Sequence, residues 1–177
     1  MLMMHGLRCV TGAWCELNRL KRLQRFPARK GNSLQDWFKT RNPLRLFVNF
    51  IVVYAMRFAP SLRLKNFFYR LLGARVERGA SLALGVIVDF FFPELVEIGE
   101  NAIIGYNTVI LTHEFLQKEW RKGRVKIGRN ALIGANCVIL PGVVIGENAV
   151  VSSMSLVNKD VPANSFYGGV PVRKLRK

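Results

Sequence analysis

The sequence contains few residues that could form disulfides or bind metals. Its three cysteines, Cys9, Cys15 and Cys137, form no framework that could be paired, which favours a reducing compartment. It has only two histidines, His5 and His113, and they belong to no cluster with the ligand spacing of a zinc site. We therefore expect neither a disulfide-stabilised fold nor a metal centre.

A long uninterrupted apolar run is also missing. The most apolar stretch, residues 44–59, is shorter than the roughly 20 residues that a membrane span needs, and Arg45, Asn49 and Arg57 interrupt it. The apolar run at the start of the chain is too short and broken for a secretory signal. These patterns argue against a spanning helix and a cleaved leader.

Acidic residues are scarce, since 11 Asp and Glu stand against 27 Lys and Arg, for a formal net charge of +16. The excess lies at the front: residues 1–78 carry 16 Lys/Arg and 3 Asp/Glu, or +13, while residues 79–177 carry 11 and 8, or +3. Such a charge suits nucleic acid or an anionic membrane surface. No nucleic-acid motif accompanies it, so nucleic acid is not expected as a partner.

What the sequence does contain is a six-residue repeat. From residue 127 to residue 157 every sixth position is Ile or Val, and a small or β-branched residue follows four places later. This period fits neither an α-helix nor a β-hairpin, and it is typical of a parallel β-helix in which three hexads close one triangular coil. Equivalent positions should then stack one coil apart, Ile127 on Ile145 and Ile133 on Val151. The small inward positions are Ala131, Cys137, Val143, Ala149, Ser155 and Val161.

The same phase continues upstream over residues 76–88 and 98–110. It breaks between these two runs and again before Ile127. Extra residues can leave a stacked column only at a corner, so we expect residues 89–97 and 112–126 to project outward as loops. Gly and Asn beside the corners are expected to adopt the left-handed backbone that a tight bend needs.

We divide the chain into three parts. Residues 1–32 are predicted to be a basic, poorly ordered tail, residues 33–75 an amphipathic helical segment, and residues 76–177 an all-β domain, the β-helix. Ser33 is expected to cap a first helix, and Asn42 to cap a second helix that begins with a proline.

Two interpretations of the helical segment remain open. It could cap the open end of the β-helix, or it could anchor the protein on anionic lipid, and the two roles are compatible. A stripe of apolar residues in its second half lies opposite polar ones. The apolar stripe consists of Leu64, Phe67, Phe68, Leu71 and Leu72, and the polar face of Arg63, Lys65, Asn66 and Arg70.

His113 is the only imidazole in the predicted β-helix. It stands between Thr112 and Glu114, where a coil ends and the long loop begins. A ring at a loop exit on a rigid coil is exposed and well oriented, and near neutral pH it can accept a proton. The residue alone is compatible with a structural role or with a general base. Cys137, in contrast, occupies an inward repeat position and is interpreted as a core residue, not a nucleophile.

Residues 76–177 resemble the hexapeptide-repeat acyltransferases, and among them the galactoside, maltose and xenobiotic O-acetyltransferases. Two segments near the end carry the resemblance besides the repeat. Residues 158–165 match the family's Thr/Asn-Lys-Asp-Val/Ile-Pro turn, and residues 168–176 contain its Gly-x-Pro-x-Arg segment. The resemblance implies a left-handed β-helix, a homotrimer, acetyl-CoA as the donor, and active sites in the grooves between neighbouring subunits.

Carried over by position, the resemblance makes His113 the catalytic base that removes a proton from a sugar hydroxyl. It places the backbones of Ala135 and Ser153 along the pantetheine arm of acetyl-CoA. Asn158 and Lys159 match the next corner on that path.

The same comparison places Arg173 and Arg176 near the nucleotide phosphates of the donor. Asp89 falls near the family's acceptor-binding positions, and a plain corner carboxylate is an equal alternative. Glu114 and Trp120 lie in the projecting loop and are assigned to acceptor binding. For Trp120, packing against a neighbouring subunit is an equal alternative to stacking on a sugar ring.

The sequence therefore predicts an acetyl-CoA-dependent O-acetyltransferase that acts on a hydroxyl of a sugar or a cell-envelope glycan precursor. Its expected location is the cytoplasm, with peripheral binding to the inner face of the membrane through residues 33–75. The alternative is a non-catalytic hexapeptide-repeat scaffold or binding module, which would need neither His113 nor the cations Lys159 and Arg173. The basic, aromatic front end favours an acceptor near a membrane.

Overall fold

The structure is a computed structural model that describes residues 19–28 and 31–175. Residues 1–18 and Arg176 lie outside the described residues, so the predictions made for them stay predictions. The helices are α1 (Trp37–Thr40), α2 (Pro43–Phe58) and α3 (Leu62–Leu71), and 3-10 turns span Ser33–Asp36 and Pro93–Leu95. The strands are β1 (Gln24–Pro27), β2 (Arg75–Val76), β3 (Ser81–Leu82), β4 (Ile87–Val88), β5 (Val96–Ile98), β6 (Ile103–Ile104), β7 (Val109–Ile110), β8 (His113–Phe115), β9 (Glu119–Lys122), β10 (Val125–Ile127), β11 (Leu132–Ile133), β12 (Val138–Ile139), β13 (Val144–Ile145), β14 (Val150–Val151), β15 (Leu156–Val157), β16 (Phe166–Gly168) and β17 (Arg173–Lys174).

Most of these strands form the three flat walls of a parallel β-helix. Wall 1 contains β2, β5, β10 and β13; wall 2 contains β3, β6, β11, β14 and β16, with β17 added antiparallel; wall 3 contains β4, β7, β12 and β15. The chain passes from wall 1 to wall 2 to wall 3 and back to wall 1. We name the edges of the column after the walls they join: the 1/2 edge, the 2/3 edge and the 3/1 edge.

The predicted stacking is confirmed. Ile127 pairs with Ile145 in wall 1, and Ile133 pairs with Val151 in wall 2. The inward aliphatic residues and the small residues four places later, Cys137 among them, are buried in one continuous core. A ladder of this kind is stable because each coil covers the apolar side chains of the next.

Asparagine makes most of the left-handed corners and Gly79, Gly85 and Gly142 make others, whereas the glycine that directly follows the inward aliphatic residue has another role. A Cβ at Gly105 would lie 2.5 Å from the backbone carbon of Gly134, so this glycine is required by the close approach of successive coils. Its own φ is not positive. The amides of Asn101, Asn130, Asn148 and Asn164 are joined in one hydrogen-bonded ladder. The non-glycine residues with positive φ are Asn101, Asn107, Asn130, Asn136, Asn148, Met154 and Asn164.

The helices α2 and α3 pack across the end of the column, on the first coil. The prediction for Asn42 is confirmed, because its side chain accepts hydrogen bonds from the N–H groups of Leu44 and Arg45. The prediction for Ser33 is wrong: its hydroxyl donates to the carbonyl of Leu116 at 2.6 Å and caps no helix. Ser33 therefore ties the helical segment to the loop after His113.

The side of α3 that faces the column carries Lys65, Asn66 and Tyr69, whereas Leu64, Phe67 and Leu71 of the apolar stripe are exposed. Lys65 Nζ donates to the carbonyl of Ala83 at 2.8 Å, and Asn66 Nδ2 donates to the carbonyl of Ala80 at 2.7 Å. Burial lowers the pKa of the Lys65 ammonium. The end of the column is thus closed by side-chain donors that satisfy the carbonyls of its first coil.

Part of the predicted tail is ordered. Strand β1 pairs antiparallel with β9, which pairs with β8, so that the loop after His113 is a hairpin within a three-stranded sheet. Residues 89–95 also leave the coil as expected, but they fold back over the 3/1 edge, where Phe91 and Phe92 are buried.

Met154 is the exception among the corner residues. It has a φ of 59° at the 2/3 edge, one coil beyond Asn136, where the amide ladder from Asn107 ends. The left-handed conformation costs an ordinary residue about 1–2 kcal/mol, while Asn tolerates it. We expect Met154→Asn to raise the free energy of unfolding by about 1 kcal/mol and the thermal midpoint by about 2–4 °C, measured by calorimetry.

The reverse exchange in the other ladder is the control. Asn148→Met should lower the thermal midpoint, because it places methionine at a φ of 53° and breaks two amide contacts. A midpoint for Met154→Asn at or below that of the unsubstituted protein would contradict the strain at residue 154.

Candidate active site

The candidate site lies at the 3/1 edge, where two neighbouring strands of wall 3 end. Strands β4 and β7 are paired with Val88 beside Ile110. Asp89 follows β4 directly, and Thr112 and His113 follow β7. Because paired parallel strands leave a wall side by side, the register brings the carboxylate and the imidazole together from positions 24 residues apart.

Asp89 is almost completely buried, at 2% exposure, and both of its carboxylate oxygens are used. Oδ1 accepts a hydrogen bond from the N–H of Phe91 at 2.8 Å. Oδ2 accepts from the N–H and the hydroxyl of Thr112 at 2.7 and 2.8 Å, and it lies 2.5 Å from His113 Nδ1. A buried carboxylate needs such partners to remain charged.

The ionisation of Asp89 follows from these contacts. Burial alone would raise its pKa, but the hydrogen bond and the charge of His113, together with the hydrogen bonds from Thr112, outweigh burial and hold the pKa of Asp89 below its usual value. At neutral pH Asp89 is therefore a carboxylate, which can only accept hydrogen bonds.

The carboxylate decides which nitrogen of His113 carries the proton. Since Asp89 can only accept, Nδ1 is the protonated nitrogen, and Nε2 of the neutral ring has a free lone pair. Nε2 makes no hydrogen bond with any residue that the structure describes. The arrangement can thus hold an imidazole in one tautomer and one orientation, with Nε2 ready to accept a proton.

Three phenylalanine rings surround the imidazole. The ring centroid of Phe91 lies 4.3 Å from that of His113, Phe115 lies at 5.0 Å and Phe92 at 6.0 Å. The His113 side chain is 12% exposed. The rings limit the access of water and leave the imidazole few alternative orientations.

The acceptor-binding assignment of Asp89 is not supported by its geometry. Its oxygens are turned inward to Phe91, Thr112 and His113, so it supports the imidazole and offers nothing to a ligand. The sequence held a signal for this: the hexad phase places Val88 beside Ile110, and the residues after both must share an edge.

Glu114 and Trp120 are likewise engaged within the chain. Glu114 Oε1 lies 3.6 Å from Arg19 Nη1 in an ion pair. The indole of Trp120 is stacked with Phe26, at 4.2 Å between ring centroids, and is parallel to Phe92 at 5.8 Å. The contacts with Arg19 and Phe26 depend on residues 19–28, which the sequence predicted to be a poorly ordered tail. Trp120 also lines a pocket beside Phe26, and the assignment of Glu114 and Trp120 to acceptor binding stays a prediction.

Two arginines of the same segment were missed in the sequence. Arg19 Nη1 donates to the carbonyl of Pro141 at 3.0 Å. Arg22 donates to the carbonyl of Gly142 and, at 2.5 Å, to Asp160. Both fix the front of the chain against the 3/1 edge, next to the coil that carries His113.

The residues predicted to bind the donor lie on more than one edge. Asn158 and Lys159 follow β15 at the 3/1 edge, the edge of His113. Ala135 and Ser153 lie at the 2/3 edge, where the Ala135 N–H donates to Ser153 Oγ at 3.1 Å. Arg173 is exposed in β17. A single chain therefore brings Lys159 and His113 to one edge but leaves Ala135 and Ser153 on another.

Residues 124–159 match the family model described as "Bacterial transferase hexapeptide (six repeats)". The "Putative acetyltransferase YvoF" of Bacillus subtilis (strain 168) is 46% identical over 155 residues, which cover 87% of this chain and 90% of that protein. The galactoside O-acetyltransferase of Escherichia coli (strain K12) is 37% identical over 105 residues, 55% of this chain and 50% of that protein.

Among solved structures, a maltose O-acetyltransferase from Clostridium difficile 630 matches 76% of this chain and 87% of its own with a TM-score of 0.60. The identity is 21%, so this likeness concerns the fold alone. It agrees with a left-handed parallel β-helix.

The charge of Asp89 should make the fold sensitive to acid. Because the pKa of Asp89 is lower in the folded chain than its ordinary value of 3.8, the carboxylate stabilises the fold above that value, and the contribution is lost as the pH falls through the folded pKa. We expect Asp89→Asn to be less stable at neutral pH and to lose less stability than the unsubstituted protein between about pH 5 and pH 3. Urea unfolding across this range measures the difference.

Glu100→Gln is the control, since it also replaces one carboxylate by an amide. The Glu100 side chain is exposed at the 1/2 edge. Glu100→Gln should keep the acid dependence of the unsubstituted protein. If Asp89→Asn shows the same acid dependence as well, Asp89 is not held as a charged group in the fold.

Proposed function

The chain belongs to the hexapeptide-repeat acetyltransferases, and on that premise we propose that it transfers an acetyl group from acetyl-CoA to a hydroxyl group of a sugar or a cell-envelope glycan precursor, with His113 as the general base. The observation that carries the proposal is the Asp89–His113 pair, with Nδ1 held by a buried carboxylate and Nε2 free. A structural histidine would not need a charged, fully hydrogen-bonded partner. A scaffold would need neither group.

In the proposed reaction, His113 Nε2 removes the proton of the acceptor hydroxyl as its oxygen attacks the carbonyl carbon of the thioester. The resulting imidazolium is stabilised by the negative charge of Asp89. The tetrahedral intermediate collapses with cleavage of the C–S bond, and the proton on Nε2 passes to the departing thiolate. The products are an O-acetyl ester and CoA. Backbone N–H groups of a neighbouring coil are proposed to stabilise the oxyanion.

The proposed donor site uses cations that the fold leaves available. Neither Lys159 nor Arg173 forms an ion pair with any residue in the described ranges 19–28 and 31–175. Unpaired cations suit the phosphates of CoA. Ala135 and Ser153 are proposed to line the pantetheine arm, and Arg176, outside the described residues, to join Arg173 at the phosphates.

The proposed active form is a homotrimer. Its support is that His113 and the pair Ala135 and Ser153 lie on different edges of one column, so that a 3/1 edge must meet the 2/3 edge of another copy to complete a site. Closed symmetry with one kind of contact favours such an arrangement.

The acceptor proposal rests on a relative named for galactoside acetylation, together with the basic, apolar front end. The proposed location is the cytoplasm, since that is where the donor thioester is available. No helix among the described residues is long and apolar enough to cross a membrane.

Removing the imidazole tests the proposed chemistry. We expect His113→Ala to lower kcat by about 10²–10⁴-fold for the best acceptor in a sugar panel, with little change in the KM for acetyl-CoA. Release of CoA thiol measures the rate. His5→Ala, which removes the other histidine, is the matched control and should keep full activity. A normal kcat for a folded His113→Ala protein would rule out the general-base role.

Removing a cation tests the proposed donor site. Lys159→Ala and Arg173→Ala should each raise the KM for acetyl-CoA by about tenfold, because each removes a charge-assisted contact to phosphate. With acetyl-pantetheine, which lacks the nucleotide phosphates, the two variants should differ little from the unsubstituted protein.

Lys174→Ala is the control for this series, since Lys174 neighbours Arg173 and is equally exposed. If Lys159→Ala and Arg173→Ala raise the KM equally for acetyl-CoA and for acetyl-pantetheine, the two cations act on the fold or on the acceptor and not on the donor phosphates.

A further inference from the structure

The helix α2 carries apolar side chains on both its inward and its outward side. Its inward residues, Leu46 and Val53, are buried. The outward stripe, however, is also apolar, with Leu44 73% exposed, Phe47 62% and Phe58 67%. A helix of a water-soluble protein normally turns polar residues outward, and an apolar surface all round is typical of a helix that is covered on all sides.

The helix α3 lies beside α2 and also exposes apolar residues on its outward side. Its polar residues Lys65 and Asn66 are buried on the column, while Leu64, Phe67 and Leu71 are exposed. Since both helices pack one side on the first coil, their exposed residues lie on the side away from the column. We call this surface the outer face; it contains Leu44, Phe47, Val48, Ile51, Phe58, Leu64, Phe67 and Leu71.

An apolar groove lies beside the outer face, between α1, the first half of α2 and Phe90. It has a volume of about 190 Å³ and is lined by Trp37, Pro43, Leu46, Phe47, Phe50 and Phe90. The outer face and the groove beside it together form a contiguous exposed apolar surface. Such a surface is unusual on a protein that remains in water, and it marks an interaction site.

The charge around the outer face decides which occupant fits it. Residues 33–75 contain eight Lys and Arg and one Asp, or +7. Arg45 and Arg63 are exposed, and their side chains have no hydrogen bond or ion pair with any residue that the structure describes. A second copy of the same face would bring the unpaired Arg45 and Arg63 against another set of unpaired arginines, which is repulsive. A partner with an apolar interior and an anionic surface matches both the apolar side chains of the outer face and its unpaired arginines.

We propose that the outer face docks on an anionic phospholipid bilayer, with α2 and α3 lying in the plane of the interface. The apolar side chains enter the boundary between headgroups and acyl chains, and Arg45 and Arg63 pair with lipid phosphates. The proposal concerns a surface apart from the Asp89–His113 pair, so it stands whether or not the proposed acetyl transfer is correct.

Vesicle binding by the full-length protein tests the proposal. We expect the protein to co-sediment with vesicles that contain phosphatidylglycerol and to bind vesicles of phosphatidylcholine alone much more weakly. Added salt should weaken the binding, because it screens the charges. Phosphatidylglycerol vesicles that carry brominated acyl chains should quench the fluorescence of Trp37, and Trp37→Phe should remove that quenching.

Substitutions on and off the outer face sharpen the test. Ile51→Glu and Phe67→Glu should each weaken vesicle binding by at least about tenfold, because each places a charge in the acyl boundary. Arg45→Gln and Arg63→Gln should each weaken it roughly fivefold, the effect of one cation near an anionic surface. The controls, Ile103→Glu and Arg129→Gln, change exposed residues of the column and should bind normally.

Other occupants give different results, and each would overturn the proposal. If a second copy covers the outer face, Ile51→Glu and Phe67→Glu will change the oligomeric state in sedimentation and the protein will not bind vesicles. If residues 1–18 cover it, the full-length protein will not bind vesicles and its oligomeric state will be the same in all variants. Equal binding to both kinds of vesicle would contradict the role assigned to charge.

Discussion

The parallel pairing of β4 with β7 is the constraint on which the candidate site depends. It sets Val88 beside Ile110, so two segments of different length must leave wall 3 at the same edge. Paired strands lie about 4.8 Å apart. This spacing alone brings the Asp89 side chain within reach of Thr112 and His113, whatever path the two loops take. The hydrogen bonds at Asp89 then fix the tautomer of His113, because a carboxylate that only accepts obliges Nδ1 to carry the proton. The column is rigid, and the orientation of the imidazole therefore follows from the register of the wall.

The repeat predicts the column well because its period is imposed by one geometry. A residue that faces inward must fit the narrow interior and stack on its equivalent, and this is why the pairing of Ile127 with Ile145 and the burial of Cys137 follow from sequence spacing alone. The roles of Glu114 and Trp120 could not be predicted in the same way. They depend on β1, whose sequence Gln-Arg-Phe-Pro shows no strand pattern and which becomes a strand only by pairing with β9 far along the chain. Asp89 was found in the sequence, where acceptor binding and a corner carboxylate were equal alternatives, and its contacts with Thr112 and His113 agree with the second.

The orientation of α3 has a physical cause that the sequence does not display. The first coil has no preceding coil, so its carbonyls at the end of the column need donors from elsewhere. Lys65, Asn66 and Tyr69 supply them, to the carbonyls of Ala83, Ala80 and Val86. An amphipathic pattern shows that a helix has two faces but not which one turns inward. Here the column takes the side with Lys65, Asn66 and Tyr69, and Leu64, Phe67 and Leu71 are left outside as a consequence.

Phe90 connects the helix α2 to the segment that carries Asp89. Asn49 of α2 donates to the carbonyl of Phe90 at 2.9 Å, and Phe90 follows Asp89. Asp89 leaves the first coil and His113 the second, so a bilayer under α2 and α3 would lie one helix layer and one or two strand spacings from the imidazole, roughly 15–20 Å. At that distance a sugar attached to a lipid can present its hydroxyl to Nε2, whereas a free sugar gains nothing from the docking. If both proposals hold, the geometry therefore favours lipid-linked glycans over soluble sugars as acceptors, and the helices that close the column also select its substrate.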